Sequence, residues 1–449
     1  MPRKVYWPTP DTTSKDAVFQ WRGIPQPGQL LPLGLQHVVA AVVGVITPAI
    51  LVADTCGLSS ADKTLMIQVS LILTALATLL QLFPIFHRIG SGLPVIMGIS
   101  FAYIPTLQAI GGEFGLPTIL GAEIVGGIVA IVFGVLVKWI RPLFPPLVTG
   151  TVIFTIGLSL YPTAVKYMAG GAGSEWFGSA KSWAVALITL AVVVFLNHFT
   201  KGITKLASIL IGILAGYVIA YFLGIVDLSG VGSAAWVALP RPMPFDIQFV
   251  PAACVSLGIV YVVNAVQTIG DLSSTTMGGM DRMPTDKELS GGIVGQGVMS
   301  ILGAFFGGLP AATYSQNVGI VTVNRVINRA VFALAALILL VAGLVPKFAS
   351  LLTTIPQCVI GGATISVFAT ITMTGIRMIT EGGFTPRKSS VVGLSVALGV
   401  GITQVSGCLA GEGFPAWVNT VFGSSSVVVA ALMAILLNLI LPKEPSANG

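Results

Sequence analysis

Apolar runs long enough to cross a bilayer recur along this chain from residue 31 to residue 441, and nothing else in the sequence constrains the fold as hard. One helical crossing takes about 20 residues. Reading between polar breaks places spans at 31–53, 62–85, 91–110, 116–137, 144–161, 180–198, 205–226, 248–269, 290–308, 311–325, 328–346, 350–376, 389–407 and 420–441. These fourteen segments predict an all-α polytopic membrane protein. The composition fits no ordinary soluble domain: 55% of the 449 residues are hydrophobic, 8% are charged, and the mean hydropathy is +0.94. Residues 1–30 are polar and proline-rich, without the apolar stretch of a cleavable signal peptide. Cys56, Cys254, Cys358 and Cys408 show no metal-like spacing and read as free thiols.

A net charge of +6 in a soluble protein would raise the question of nucleic acid, but here the cations sort by membrane side. Seventeen of the 22 Lys and Arg residues fall in the two termini or in loops after even-numbered spans, among them Arg88, Lys138, Arg141, Lys201, Arg325 and Lys388. The other loops hold only Lys63, Lys166, Lys181, Arg241 and Lys347. Cytoplasmic loops carry such an excess. The split predicts a multi-pass protein of the plasma (inner) membrane with both termini in the cytoplasm. It also excludes a nucleic-acid partner, because the positive charge is spread along one membrane face.

Two of the fourteen segments are interrupted. GSGLPVIMGISFAYIP (90–105) and FGGLPAATYSQNVGIV (306–321) each contain Gly-Leu-Pro, at Gly92–Pro94 and Gly308–Pro310. Six residues past each proline stand Ser100 and Gln316, followed by Phe101 and Asn317. The segments are third and tenth, equivalent positions if the chain is two units of seven, the second inverted. An interrupted helix leaves N–H and C=O groups that hydrocarbon cannot satisfy, so the stretch lies in protein or against a polar cavity. There it can hold a ligand, and the following helix offers its positive N-terminal end. Read singly, Pro and Gly serve equally well as kinks in two packed helices. Their matching positions, with Gln316-Asn317 in one, favour a ligand site. On that reading both amides face the ligand, and Gly319 eases the turn from extended chain to helix or permits close packing.

Other polar residues within the spans carry two readings each. His37, beside Gln36, is either a core histidine bonded to a carbonyl or a support for the broken segments. Gln267 and Asp271 close the eighth span in VVNAVQTIGD, where Asp271 is a cap, an interhelical bond or a site group. Gln296, between Gly295 and Gly297, bonds a neighbouring helix or lines the site. Glu123 rests near one face of the bilayer with no assigned role. Gln267 and Gln316 make the sharper pair. Two carboxamides present acceptors and paired donors, which suit the alternating C=O and N–H edge of a planar heterocycle, with Phe101 stacked on its face.

The run QNVGIVTVNR, Gln316 to Arg325, resembles the signature of the nucleobase–ascorbate transporters, also called nucleobase:cation symporter-2. In that family Gln or Glu precedes Asn-x-Gly, and a small polar and a basic residue close the motif. Gln36-His37, SFAYIP and the IGD of VQTIGD resemble the family's other marks, and the similarity runs from about residue 24 to residue 441. The resemblance, to xanthine and uric acid permeases in particular, implies fourteen spans in a seven-plus-seven inverted repeat. A core domain (31–137 and 248–346) would move against a gate domain (138–247 and 347–441), between cytoplasmic tails 1–30 and 442–449, in a homodimer. It implies a nucleobase held by Phe101, Gln267, Gln316 and Ser315 or its backbone. His37, Asp271, Gln296 and Asn317 would support the site or couple transport, with no cofactor and no metal. Gln316 at the first motif position points to an oxidised purine, xanthine or uric acid, over uracil.

Two departures from the pattern bear on energetics. The family commonly has Glu where Gln267 stands, and many purine members have Asp where Gln296 stands. An amide cannot take up and release a proton. Coupling then falls to another group (Asp271, Glu123 or His37), to sodium, or is absent. The expectation is cation-coupled import by alternating access. An anion transporter of the sulfate or bicarbonate kind shares the plan but requires a cation at the site, and Arg325 lies several residues on. An integral-membrane enzyme finds no His/Asp/Glu cluster, nucleophile elbow or phosphate loop, with His37, His87 and His198 its only histidines. A scaffold gives the buried polar residues no purpose.

Overall fold

The structure is a computed structural model describing residues 17–442 apart from 87, 141–143, 229–230, 233, 382, 406 and 424. Most of the expected N-terminal tail (1–16), nearly all of the C-terminal tail (443–449) and Arg141 lie outside the described residues. The first half of the chain runs α1 (Pro27–Thr55), α2 (Ser60–Leu82), β1 (Met97–Ile99), α3 (Ile104–Phe114), α4 (Leu116–Val135), α5 (Pro146–Met168), α6 (Ala180–Phe199) and α7 (Ser208–Phe222). The second half runs α8 (Pro251–Met280), α9 (Asp286–Phe305), β2 (Ala311–Thr313), α10 (Ser315–Asn324), α11 (Arg329–Gly343), α12 (Pro346–Thr353), α13 (Gln357–Thr380), α14 (Pro386–Gln404) and α15 (Ser426–Ile440). A single 3-10 turn, Phe101–Tyr103, leads into α3.

The helices begin where the sequence supplies a start signal. Proline stands in the first turn of α1, α3, α4, α5, α8, α12 and α14, where its missing N–H costs nothing. Ser59, Ser179, Asn328 and Thr385 accept a first-turn N–H at α2, α6, α11 and α14. Thr285 and Glu288 close a reciprocal capping box on α9. Among the described residues seven helices are long and apolar enough to cross a membrane, or eight if α11 and α12, bent by 79° at their joint, count as one span. The chain is an integral multi-pass membrane protein.

Several boundaries differ from expectation. α5 continues through Pro162 to Met168, past the expected end at 161. α8 extends to Met280 instead of stopping at 269, because Ser273, Thr275 and Thr276 return their hydroxyls to carbonyls of their own helix. The segment expected at 350–376 is split between α12 and α13, and the domain boundary drawn at 347 falls inside α12, which packs on α2. The last helix starts at Ser426, not at 420. The fold is mostly helical, as expected, and two short strands lie at its centre.

Those strands pair antiparallel as Met97↔Thr313, Gly98↔Ala312 and Ile99↔Ala311, and Tyr314 N continues the ladder to Ile96 O at 3.0 Å. Met97 and Thr313 each stand three residues after the proline of their motif, so equivalent positions of the two motifs meet. Neighbouring side chains take up further main-chain groups. Thr78 of α2 bonds both Met97 N and Met97 O, at 3.1 and 3.2 Å. Ser300 of α9 accepts from Ala311 N at 3.2 Å, and Tyr314 Oη donates to Ile99 O at 2.6 Å. Gly98 is required by close approach: a methyl added there would lie 2.5 Å from Thr74 Oγ1.

The helices pack in two sets. α1–α4 and α8–α12 form one, α5–α7 and α13–α15 the other, with sparse contacts between them. Helices in lipid gain no hydrophobic drive from meeting, so close packing through small residues holds them. At the α5–α13 crossing, a methyl added to Gly375 would lie 2.4 Å from Phe154 N, and one on Gly157 would lie 2.2 Å from Thr372 Oγ1. In the other set, one added to Gly297 of α9 would lie 2.5 Å from Gly127 O of α4. A cross-tie joins the sets at the end of α1. The Asp54 carboxylate accepts from Lys63 of α2, from Tyr167 Oη of α5 at 2.6 Å and from Gln357 Nε2 of α13 at 2.5 Å.

Leucine at position 375 should force α5 and α13 apart, an overpacking cost of about 1–3 kcal/mol or more. Detergent-extracted Gly375→Leu should lose the monodisperse elution peak of the parent, while Gly393→Leu, where an added methyl meets nothing within 4 Å, should keep it. An unchanged profile for Gly375→Leu would contradict the crossing.

Candidate functional site

Each strand hands over to a helix within two residues. After β1, Ser100 Oγ accepts from Ala102 N at 3.2 Å and starts the turn that carries Phe101. After β2, Tyr314 leads into Ser315, the first residue of α10. Because the strands are antiparallel, the two helix N-termini leave from opposite ends of the pair. First-turn N–H groups, which have no partner within their own helix, therefore lie on both sides of it.

α8 fixes the second of these turns. Asp271 Oδ2 accepts from Thr313 Oγ1 at 2.6 Å and Oδ1 from Ser315 Oγ at 2.8 Å. Asp271 is thus no cap: it sits in mid-helix and makes the interhelical bonds that hold the end of β2 and the start of α10. One turn earlier Gln267 Nε2 lies 3.4 Å from Ser315 Oγ, a long contact that leaves its amide half-buried and largely uncommitted. Ser315 enters through its side chain, with its hydroxyl between Gln267 and Asp271.

α1 supports the same helix from behind. Asn317 Nδ2 donates to His37 O at 3.0 Å and approaches His37 Nδ1 at 3.1 Å, and both residues are buried. The His37 ring lies 4.4 Å from that of Phe332. His37 is therefore both a bonded core histidine and a support of the broken segment. Asn317 points into this packing, which corrects the expectation that both amides of Gln316-Asn317 face a ligand. Consecutive helical residues point about 100° apart, and only one of these faces the open side.

The open side consists of Ser315, Gln316 and Gly319, all exposed. Gly319 neither turns the chain nor packs closely. It lies inside α10, and a methyl added there would meet nothing within 4 Å. The turn from strand to helix is made at Tyr314–Ser315. Exposed positions continue along α10 at Thr322 and Val323 and along α8 at Gly270, Ser274 and Met277. They lead toward the exposed Asp281–Arg325 ion pair at 3.1 Å, which puts Arg325 at the far end of α10 from Ser315.

Phe101 is 7% exposed and meets Phe368 of α13 edge-on at 5.4 Å, so it marks the boundary between the two helix sets. Gln296 follows the reading in which it bonds neighbours. Its Nε2 donates to Tyr103 Oη at 2.9 Å and Asn264 Oδ1 at 2.6 Å, and its Oε1 accepts from Thr268 Oγ1 at 2.8 Å. Tyr103, Asn264, Thr268 and Thr313 escaped the sequence reading. The usable signal was spacing, since Asn264 and Thr268 lie four apart on one helix face, as do Gln267 and Asp271. Glu123, to which the sequence assigned no role, is fully buried. A cleft of about 880 Å³ lies beside Asp54, Lys63 and Gln357, and none of the sequence-predicted site residues lines it.

Gln267, Ser315 and Gln316 therefore converge where a helix begins, and Phe101 lies across the boundary. They supply neutral donors and acceptors. Residues 28–407 match the model of a Permease family named Xan_ur_permease. The chain is 35% identical to the Xanthine permease of Bacillus subtilis (strain 168) over 421 residues, covering 92% of this chain and 94% of that one. It is likewise 35% identical over 433 residues to the Uric acid permease PucK of the same organism, covering 93% and 97%. Among solved structures it is similar to the transmembrane domain of the cyanobacterium bicarbonate transporter BicA, with a TM-score of 0.57 over 91% of this chain and 97% of that one. At 16% identity that likeness is one of fold alone. Family match and curated relatives agree with the QNVGIVTVNR signature: the chain belongs to the xanthine and uric acid permease family, a family of transporters and not of enzymes.

Proposed function

We propose that the protein imports an oxidised purine, xanthine or uric acid, across the plasma (inner) membrane, coupled to a cation. The observation that carries this reading is the exposed Gln316 amide beside Gln267 and Ser315, with no cationic side chain among them. Oxidised purines present alternating C=O and N–H groups along a flat edge, and a carboxamide offers one acceptor and two donors to such an edge. The printed activities of the two Bacillus relatives support the same substrate class. An anion carrier of the same fold requires a positive group at the site. Arg325 is instead paired with Asp281 at the end of α10.

The mechanism is alternating access over fourteen crossings in a seven-plus-seven inverted repeat. The set containing α1–α4 and α8–α12 is the core that carries the site, and the set containing α5–α7 and α13–α15 is the gate. Phe101 against Phe368 is the contact at which they part. The charge split supports a cytoplasmic position for the Asp281 and Arg325 loops and for both termini. The exposed stripe on α8 and α10 then opens inward, while the Asp54 cross-tie closes the outer end. Opening outward requires Tyr167 and Gln357 to leave Asp54. The homodimer implied by the family resemblance completes the assembly, its gate domains supplying a fixed frame.

Gln316→Ala removes one hydrogen-bonding edge. A buried group left unpaired costs about 1–3 kcal/mol, a loss of roughly 5- to 150-fold in affinity. Uptake of labelled xanthine by cells carrying the variant at normal surface level should fall to background. Retained uptake would remove Gln316 from the site. Unlabelled xanthine or uric acid should suppress uptake by the unaltered protein, and sulfate or bicarbonate should not. The reverse pattern would assign it to the anion carriers.

A further inference from the structure

We infer that Glu123 is the site that carries the coupling proton, an inference resting on the cation-coupled import proposed above. Glu123 lies in α4, wholly buried, and neither Oε1 nor Oε2 has a hydrogen-bond partner among the described residues. None of the ion pairs among the described residues includes it. Tyr261 of α8 and Tyr103 are likewise fully buried, and the Tyr261 ring packs against Gly126, one turn along α4 from Glu123. From α9 comes Gly303, where an added methyl would lie 3.4 Å from Glu123 Oε1 and 2.8 Å from Leu73 of α2. Among the described residues, the titratable groups with an electrostatic bearing on the carboxyl are the two phenols, Tyr103 and Tyr261.

An ionised carboxyl with neither oxygen bonded is among the most costly groups a protein can bury, and the neutral acid avoids most of that cost. Proton occupancy at Glu123 is thereby tied to how tightly α4, α8 and α9 enclose it. The acid forms as RCOO⁻ takes up one H⁺, and the same bond breaks when the enclosure loosens toward the other side. Nothing else is consumed. A methyl added to Gly126, one turn away on α4, would fall 2.2 Å from the Tyr261 ring, so α4 and α8 pack closely beside the acid.

From the two tyrosines, contacts run on to the residues around Gln267. The Tyr103 ring lies 4.8 Å from that of Tyr261, and Tyr103 Oη accepts from Gln296 Nε2 at 2.9 Å. Gln296 in turn bonds Asn264 and Thr268, which flank Gln267 on α8. Tyr103 stands two residues past Phe101. A change of charge at Glu123 therefore bears on both elements that present the ligand groups. The other candidates are already engaged: Asp271 has both oxygens bonded to hydroxyls, and His37 faces Asn317.

Purified protein in proteoliposomes separates the possibilities. Two readouts are needed, exchange of labelled xanthine across vesicles at equal pH, and acidification of the vesicle interior when xanthine is added outside. The unaltered protein should give both. Glu123→Gln should exchange xanthine and lose the acidification, and Glu123→Asp should recover part of it. Acidification by Glu123→Gln equal to that of the unaltered protein would overturn the inference. So would loss of exchange in both variants at a normal elution profile, which assigns Glu123 to packing alone. Accumulation driven by a sodium gradient and not by acid would overturn the proton. An unaltered protein that exchanges neither xanthine nor uric acid would instead sink the proposed function, and the inference with it.

Discussion

Main-chain polar groups have no partner in hydrocarbon, and the centre of this protein is arranged around that fact. Two extended segments cannot lie in a membrane protein singly without stranding N–H and C=O groups. Paired with each other through Met97–Ile99 and Ala311–Thr313, and bonded by Thr78, Ser300 and Tyr314, they can. Each half of the chain supplies what the other lacks, so the two halves must fold onto one another for either broken segment to be stable. The pairing also fixes two helix N-termini at opposite ends of the strand pair, and with them Phe101 on one side and Ser315-Gln316 on the other. The site is thus a by-product of satisfying the backbone.

The same economy explains which polar residues face outward. Asn317, His37, Gln296 and Asp271 are engaged with one another's helices, and the bonds they make hold α1, α8, α9 and the broken segments in register. Gln316 and Gln267 are left with spare donors and acceptors because the frame no longer needs them. Gly319 keeps the surface beyond Gln316 clear. On the proposed reading a ligand there touches the core set through α8, α10 and Phe101 and meets the other set at Phe368, so a shift of one set against the other would change which side of the membrane it sees.

Much of this was legible in the sequence, and the limits have physical causes. The Gly-Leu-Pro repeats announced both interruptions, because proline and glycine act on the backbone locally. Proline and Ser/Thr caps marked most helix starts for the same reason. The run after Ile269 was misjudged: hydroxyls and glycines read as a helix end, but bonds from Ser273 and Thr276 to their own helix make such a run tolerable in a span. The strand pairing itself was invisible, since register between residues some two hundred positions apart leaves no local trace. The same holds for Asn317 facing inward while Gln316 faces out, and for Glu123, whose surroundings depend on a glycine of its own helix and on Gly303 of α9.

Placing the titrating group away from the ligand, as inferred for Glu123, has a consequence for specificity. A carboxylate in direct contact with a purine must change its hydrogen-bonding pattern whenever it takes or loses a proton, because an ionised acid only accepts while a neutral one also donates. Carboxamides at 267 and 316 keep a constant pattern of donors and acceptors through the cycle. The ligand is then read the same way in every protonation state, and the proton acts on the geometry of α4, α8 and α9 around it. Coupling under that arrangement is a property of packing: a small residue such as Gly126 or Gly303, which lets Tyr261 and Leu73 close around the acid, matters as much as the acid itself.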